Sequence, residues 1–198
     1  MGVAGPTARE ALLGIKGPGS RCPYRKDMGA ARFITVLPDP LAKGLELVIV
    51  GTGAGRTSAE RRAYYAGRGN RFWRTLHEVG LTPIELRPDE YARLLDYGVG
   101  LTDLAKGGFG AAAHLKPVDF DWMRLRSVIT ATSPRIVAFN GKMAAALFTG
   151  VPTAKISYGR QQTAIGRTAV YVCPSTSPAS GHWSKQPWEE FARAVKVR

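Results

Sequence analysis

The run Leu45-Glu46-Leu47-Val48-Ile49-Val50-Gly51 decides the fold. It is short, rich in β-branched residues and closed by glycine, the pattern of a buried strand. Two other runs are likewise short, β-branched and followed by small or turn residues: Arg135-Ile136-Val137-Ala138-Phe139-Asn140 and Ala169-Val170-Tyr171-Val172-Cys173. Helical patterns fall between them. Asn70 predicts the cap of a helix in which Phe72, Leu76 and Val79 share a face, ended by Gly80. Asp119 predicts the cap of another, with Trp122, Leu125 and Ile129 inward. Residues 142–148 follow a strand directly. Pro187 opens a last helix with Trp188, Phe191 and Val195 on one side. Strands alternating with helices predict an α/β fold: a three-layer α/β/α sandwich around a central, mostly parallel sheet of four or five strands. Such sheets bind ligands beyond the carboxyl ends of their strands, so chemistry is sought just after each run.

At 198 residues the chain is long enough for one domain with a full core. Residues 1–30 are rich in Gly, Pro, Arg and Lys and are expected to form a basic flexible arm, leaving 31–198 as a single domain. Lys and Arg number 28 against 15 Asp and Glu, a formal charge of +13 spread along the chain. A spread excess favours a polyanion partner, nucleic acid before an anionic membrane. Cys22 and Cys173 are the two cysteines and form no CxxC pair, which argues against a disulfide framework or a cysteine-ligated cluster. No apolar run approaches the roughly 20 residues that span a bilayer. The N-terminus lacks the apolar block of a signal peptide, so a cytoplasmic protein is expected; a monomer is expected as well. His77, His114 and His182 lack ligand spacing, and neither metal nor cofactor is expected.

After the first run comes Gly51-Thr52-Gly53-Ala54-Gly55, where glycines let a ligand approach the backbone. A dinucleotide loop, and with it a nucleotide-binding oxidoreductase, is a weak reading. The third glycine of GxGxxG is missing, and no acidic residue ends a second strand about 20 residues on. Tyr64 and Tyr65 precede Gly67-Arg68-Gly69-Asn70-Arg71 and suggest a stacking platform beside phosphate-binding cations. Phe72 reads as helix core. Asn140-Gly141-Lys142 sits at a predicted helix N-terminus, where Asn140 is either a ligand contact or a simple cap. The last run leads into Pro174-Ser175-Thr176-Ser177-Pro178-Ala179-Ser180-Gly181, a kinked loop whose hydroxyls and N–H groups suit phosphate oxygens.

In this order the motifs resemble the uracil-DNA glycosylase superfamily, and specifically its mismatch-specific uracil/thymine-DNA glycosylase branch. The match runs from about Leu45 to the C-terminus. Gly51 to Gly55 stands where the branch carries Gly-Ile-Asn-Pro-Gly, and Asn70-Arg71-Phe72-Trp73 follows at the family spacing. Phe139-Asn140-Gly141-Lys142 and Pro174-Ser175-Thr176-Ser177 resemble the later motifs. The resemblance implies that Tyr65 stacks on an extruded pyrimidine and that Thr52, Gly55 and Asn140 contact the base. It further implies that Ser175 and Thr176 hold phosphates and that Ser177, Pro178 and Ala179 wedge into the duplex gap. Arg68, Arg71, Lys142 and Lys185 are the candidate DNA-binding cations.

Two departures stand out. An Asn usually positions the attacking water in the first motif, and here that position is Gly53. The second motif opens with Cys173 where relatives carry His or Asn. Two cysteines cannot supply the four ligands of the superfamily's iron–sulfur members. Asp103 falls in a pocket-lining segment where relatives often carry Asn or Lys, and it is the preferred candidate to replace the missing Asn; Glu60 and His114 are weaker ones. No lysine is placed as a Schiff-base nucleophile, so plain hydrolysis of uracil, or of a related deaminated or mismatched base, is expected, in base excision repair of nucleoid DNA. The alternative within the fold is a catalytically weak DNA-binding protein.

Overall fold

The computed structural model describes residues 35–110, 115, 119–181 and 183–196. The expected N-terminal arm, Cys22, His114 and His182 lie outside the described residues. The described residues form five strands, β1 (Leu47–Ala54), β2 (Val99–Phe109), β3 (Ile136–Asn140), β4 (Gly159–Ile165) and β5 (Thr168–Cys173). They form one sheet in the order β2-β1-β3-β5-β4, parallel except for β4, which runs antiparallel to β5. The helices are α1 (Arg56–Arg61), α2 (Phe72–Glu78), α3 (Trp122–Thr132), α4 (Lys142–Thr149) and α5 (Gln186–Lys196), with a 3₁₀ stretch over Pro88–Tyr97.

Strand alternation divides the core in two. Leu47, Ile49, Leu101 and Ala138 face Phe72 and Leu76 of α2 and Trp188 and Phe191 of α5. Val48, Val50, Val137 and Phe139 face Leu125 and Ile129 of α3 and Ala144 and Ala145 of α4. Helices therefore cover both faces, giving the expected three-layer α/β sandwich with five strands. Burial on both faces is why β1 and β3 read as continuous apolar runs.

Two strands escaped the sequence pattern. β2 is buried over Val99–Lys106 yet carries Thr102, Asp103 and Lys106 there. Its outer edge is covered: Val36 N donates to Lys106 O at 3.0 Å, and Leu101 N to Pro40 O at 3.2 Å. β4 is the opposite edge and mostly exposed, so its Gln-rich sequence needs no apolar pattern.

Local starts differ by a residue or two from expectation. Arg71 stands at the N-cap of α2, while Asn70 Oδ1 accepts from Phe72 N at 3.0 Å, so Asn70 caps from one position further out. Asp121, not Asp119, caps α3, accepting from Arg124 N at 2.8 Å. Trp122, expected inward, is 47% exposed: it is the first residue of α3, at the open end of the stripe that Leu125 and Ile129 occupy.

Candidate active site

β2 and β3 lie on opposite sides of β1, so the chain reverses direction at β1 and opens a crevice beyond its carboxyl end. β1 does not end at Gly51, as its composition suggests, but runs through Ala54. Gly51–Gly55 is therefore largely strand and not a strand-to-helix phosphate loop. β3 pairs with β1 only as far as Val50↔Phe139, whereas β2 continues alongside to Ala54↔Phe109. On the β3 side, the Gly51–Ala54 backbone runs without a strand partner among the described residues.

Asp103 lies on β2 directly across from Gly51 and is 3% exposed. It is a strand residue. A Cβ placed on Gly51 would overlap Asp103 Oδ1 and come within 3.1 Å of the Tyr65 hydroxyl. The missing side chain is thus what lets the carboxyl and the phenol close over the strand. Burial pushes Asp103 up to about 7; Asp39 adds to the rise, and Lys106 and Arg124 hold it down.

Tyr65 adopts a left-handed backbone conformation, φ 54°. Neighbouring contacts impose it: Ala66 N donates to Ser58 Oγ at 3.1 Å, and Trp73 Nε1 to Tyr64 O at 3.0 Å. The Tyr65 ring stacks on Phe72 with centroids 3.8 Å apart and planes 21° apart. Its hydroxyl is buried, and burial, with the Asp103 charge adding, raises its pKa well above the ordinary phenol range, while Asn140 beside it pulls the other way. The expected pair of stacking tyrosines is split. Tyr64 is core, 1% exposed, its hydroxyl donating to Asp39 Oδ1 at 3.0 Å and accepting from Lys106 Nζ at 2.9 Å.

Asn140 ends β3 and is bound twice to one residue. Its Nδ2 donates to Thr176 Oγ1 at 2.9 Å, and its Oδ1 accepts from Thr176 N at 3.0 Å. Thr176 is fully buried, so its hydroxyl ties the loop to β3 and offers no surface to a phosphate. The 174–177 loop is fixed at two further points: Arg71 N donates to Thr176 O at 3.0 Å, and Trp188 Nε1 to Pro174 O at 2.9 Å. Gly141, φ 111°, completes the corner, since a Cβ there would press to 3.0 Å from Ser175 Cβ. Ser175 and Ser177 are half-buried; Pro178 and Ala179 project into solvent beside Gly69. Cys173 is buried, and burial pushes its thiol up, so it is inert packing.

Thr52 and Gly53 are half-buried on β1 and Gly55 is exposed at the start of α1. Gly53 lies against Ala105 and Leu115, whose atoms would be 3.2 and 3.0 Å from an added Cβ. Glu60 is exposed on α1. Arg68 and Arg71 are exposed and pair with no carboxylate among the described residues; Arg71 lies 5.6 Å from the Trp183 ring centre. Lys142 sits over the Tyr158 ring at 4.7 Å. Lys185 is partly committed, 3.4 Å from Glu78 and 3.6 Å from Glu189.

Three charged residues near the site went unnoticed in the sequence: Asp39, Lys106 and Arg124. Lys106 Nζ lies 2.6 Å from Asp39 Oδ1, and Arg124 Nη1 lies 2.8 Å from Asp39 Oδ2. Arg124 Nη2 also donates to Thr102 Oγ1 at 3.0 Å and to the Asp103 carbonyl at 2.8 Å. A lysine inside an apolar stretch is the one sequence signal of such a cluster. It was hidden because β2 did not read as a strand.

An α/β sheet whose crevice holds a buried carboxyl, a backed aromatic ring and a basic rim is the frame of an enzyme acting on a polyanion. The family model of the uracil DNA glycosylase superfamily matches residues 38–197, and the chain belongs to that superfamily. By family it is a DNA glycosylase, a hydrolase that acts on DNA. A solution NMR structure from Methanosarcina acetivorans, of a protein provisionally described as a uracil DNA glycosylase, superposes with a TM-score of 0.55 at 22% identity, covering 81% of this chain and 97% of that one. At that identity the likeness is one of fold.

Proposed function

We propose that the chain is a monofunctional glycosylase that extrudes uracil, or a related deaminated or mismatched base, from DNA and hydrolyses its N-glycosidic bond. The order of its motifs supports a place near the mismatch-specific branch. The observation that carries the reading is the buried Asp103 carboxyl, closed over Gly51 at the mouth of the β1 crevice.

A base inside a duplex is out of reach and must be flipped, at a cost of a few kcal/mol that is smallest at a mismatch. The exposed Pro178 and Ala179, on a loop anchored at Asn140, Arg71 and Trp188, suit a wedge that fills the gap. Phe72 backs one face of the Tyr65 ring, leaving the other for the extruded base. Bond cleavage puts negative charge on the base and positive charge on the sugar. Backbone N–H groups of Gly51–Ala54 on the unpaired side suit the base oxygens as charge develops. Ionised Asp103 accepts a proton from water and stabilises the sugar cation, taking over the work of the Asn that Gly53 replaces.

The test is direct. Purified protein is incubated with duplexes carrying uracil opposite A or G, thymine opposite G, and deaminated purines, and abasic sites are then cleaved with alkali. Product from a uracil duplex with wild type, and its loss in Asp103→Ala, is expected. No product from any duplex overturns the reading.

A further inference from the structure

Asp39, Lys106 and Arg124 lie behind the crevice, and their charges do not balance. Lys106 and Arg124 bring two positive charges into a region nearly closed to water, with side-chain exposures of 8% and 27%. Asp39, clamped between them at 2.6 and 2.8 Å, returns one negative charge. One positive charge remains. The carboxyl left to meet it is Asp103, three positions before Lys106 on β2, whose main-chain carbonyl Arg124 already holds at 2.8 Å. Thr102 joins the two, donating to Asp39 Oδ2 at 2.9 Å.

We propose, building on the glycosylase reading above, that Lys106 and Arg124, clamped by Asp39, are positioning residues for the hydrolysis. They act through Asp103, fixing its main chain opposite Gly51 and supplying the countercharge for its carboxylate. Among the described residues, the remaining titratable groups that face Asp103 are the phenols of Tyr64 and Tyr65, whose burial keeps them neutral at working pH. Asp39 from the 36–40 segment, Lys106 from β2 and Arg124 from α3 are thus the charges that act on it.

This arrangement has a signature that a purely structural cluster lacks. Taking away a cation leaves Asp103 with the cost of burial, so its protonation midpoint rises. Taking away the Asp39 charge leaves two cations uncompensated, so the midpoint falls. A charge within about 4–6 Å moves a carboxyl by one unit or more. Substitutions that only loosened β2 would move both midpoints the same way, toward an ordinary exposed carboxyl.

The experiment titrates the full chain labelled with ¹³C-carboxyl aspartate, the Asp103 signal being assigned by its absence in Asp103→Asn. Single-turnover cleavage of a uracil duplex is followed over the same pH range. Wild type is expected to titrate at about 7. Lys106→Met should move the midpoint up by about one unit and Asp39→Asn down by about one, with Lys106→Arg close to wild type. The acid limb of the rate profile should move with each. Should Lys106→Met fail to fold, Arg124→Gln carries the same upward expectation. Midpoints that stay put, or move in the same direction in the Lys106 and Asp39 variants, overturn the proposal. Wild type inactive on every duplex would instead fail the glycosylase reading, while the NMR midpoints still decide the charge coupling.

Discussion

The two walls of the crevice are built on opposite principles. The β2 wall is buried and electrostatic: Asp103, Lys106, Asp39 and Arg124 hold one another by charge in a nearly dry region. The opposite wall, from Asn140 to the 174–181 loop with Arg68 and Arg71, is held by neutral hydrogen bonds and presents its cations to water. Charge is strong where dielectric is low and weak where salt reaches it. Substitutions in the first wall should therefore change rate and pH dependence, and substitutions in the second should change grip and salt dependence.

The widest gap between the walls is expected at Asp103. Asp103→Ala should cut single-turnover cleavage by about 10²- to 10⁴-fold, the range of an acid–base group, while DNA affinity holds. Asp103→Asn separates two roles: an amide can orient water but cannot accept its proton. A rate close to wild type in Asp103→Ala would move the chemistry off the β2 wall altogether.

The pH profile follows from the same group. Asp103 is pushed up to about 7, and the ionised form is the active one, so the rate should fall about tenfold per pH unit below that value. Stability runs the other way. A raised carboxyl binds its proton more tightly folded than unfolded, so its contribution is fullest below about pH 4, near the unfolded value, and is lost as pH rises through about 7. Urea midpoints against pH check the sign. A stability that rises across this window would mean Asp103 is more ionised than its burial dictates.

Tyr65→Ala should come next. Base–aromatic stacking is worth about 1–3 kcal/mol, or roughly 5- to 150-fold in rate if realised in the transition state. Undamaged-duplex binding should change little. Equal cleavage by mutant and wild type would make the ring a mere cover for Phe72.

On the second wall, Thr176→Val removes one of the two Asn140 tethers, the hydroxyl one, and keeps the backbone one. It leaves a buried amide short of a partner, at about 1–3 kcal/mol. Thermal unfolding should drop by a few degrees, with cleavage falling as the loop loosens. An unchanged melting point would mean the loop is held by the Thr176 main chain, Arg71 and Trp188 without the hydroxyl.

How much of this could be read in advance follows the same division. β1, β3 and β5 were legible because burial on both faces writes itself as an apolar run. β2 was not, because Thr102 and Lys106 are satisfied by Asp39, 63 and 67 residues away, a pairing no local pattern contains. Asp119 and Asp121 are equally good caps by composition, and only tertiary contacts choose between them. Asp103 came forward through family resemblance alone, since nothing around it spells a site.

The smallest effect concerns the rim, and it tests whether exposure decides which cations grip DNA. Each phosphate contact releases condensed counterions and contributes about 0.9 to the slope of log affinity against log salt. Arg68 and Arg71 are exposed and pair with no carboxylate among the described residues, so each is free to give its full share. Lys185 already lies near Glu78 and Glu189, and leaving them for a phosphate exchanges one ion pair for another. Arg68→Gln and Arg71→Gln should therefore each lower the slope by about 0.9, and Lys185→Gln by clearly less. Fluorescence anisotropy on an undamaged duplex at several salt concentrations measures all three. Equal slopes for Lys185→Gln and the two arginine variants would show that Lys185 leaves its carboxylates when DNA arrives. The rim would then extend along the start of α5.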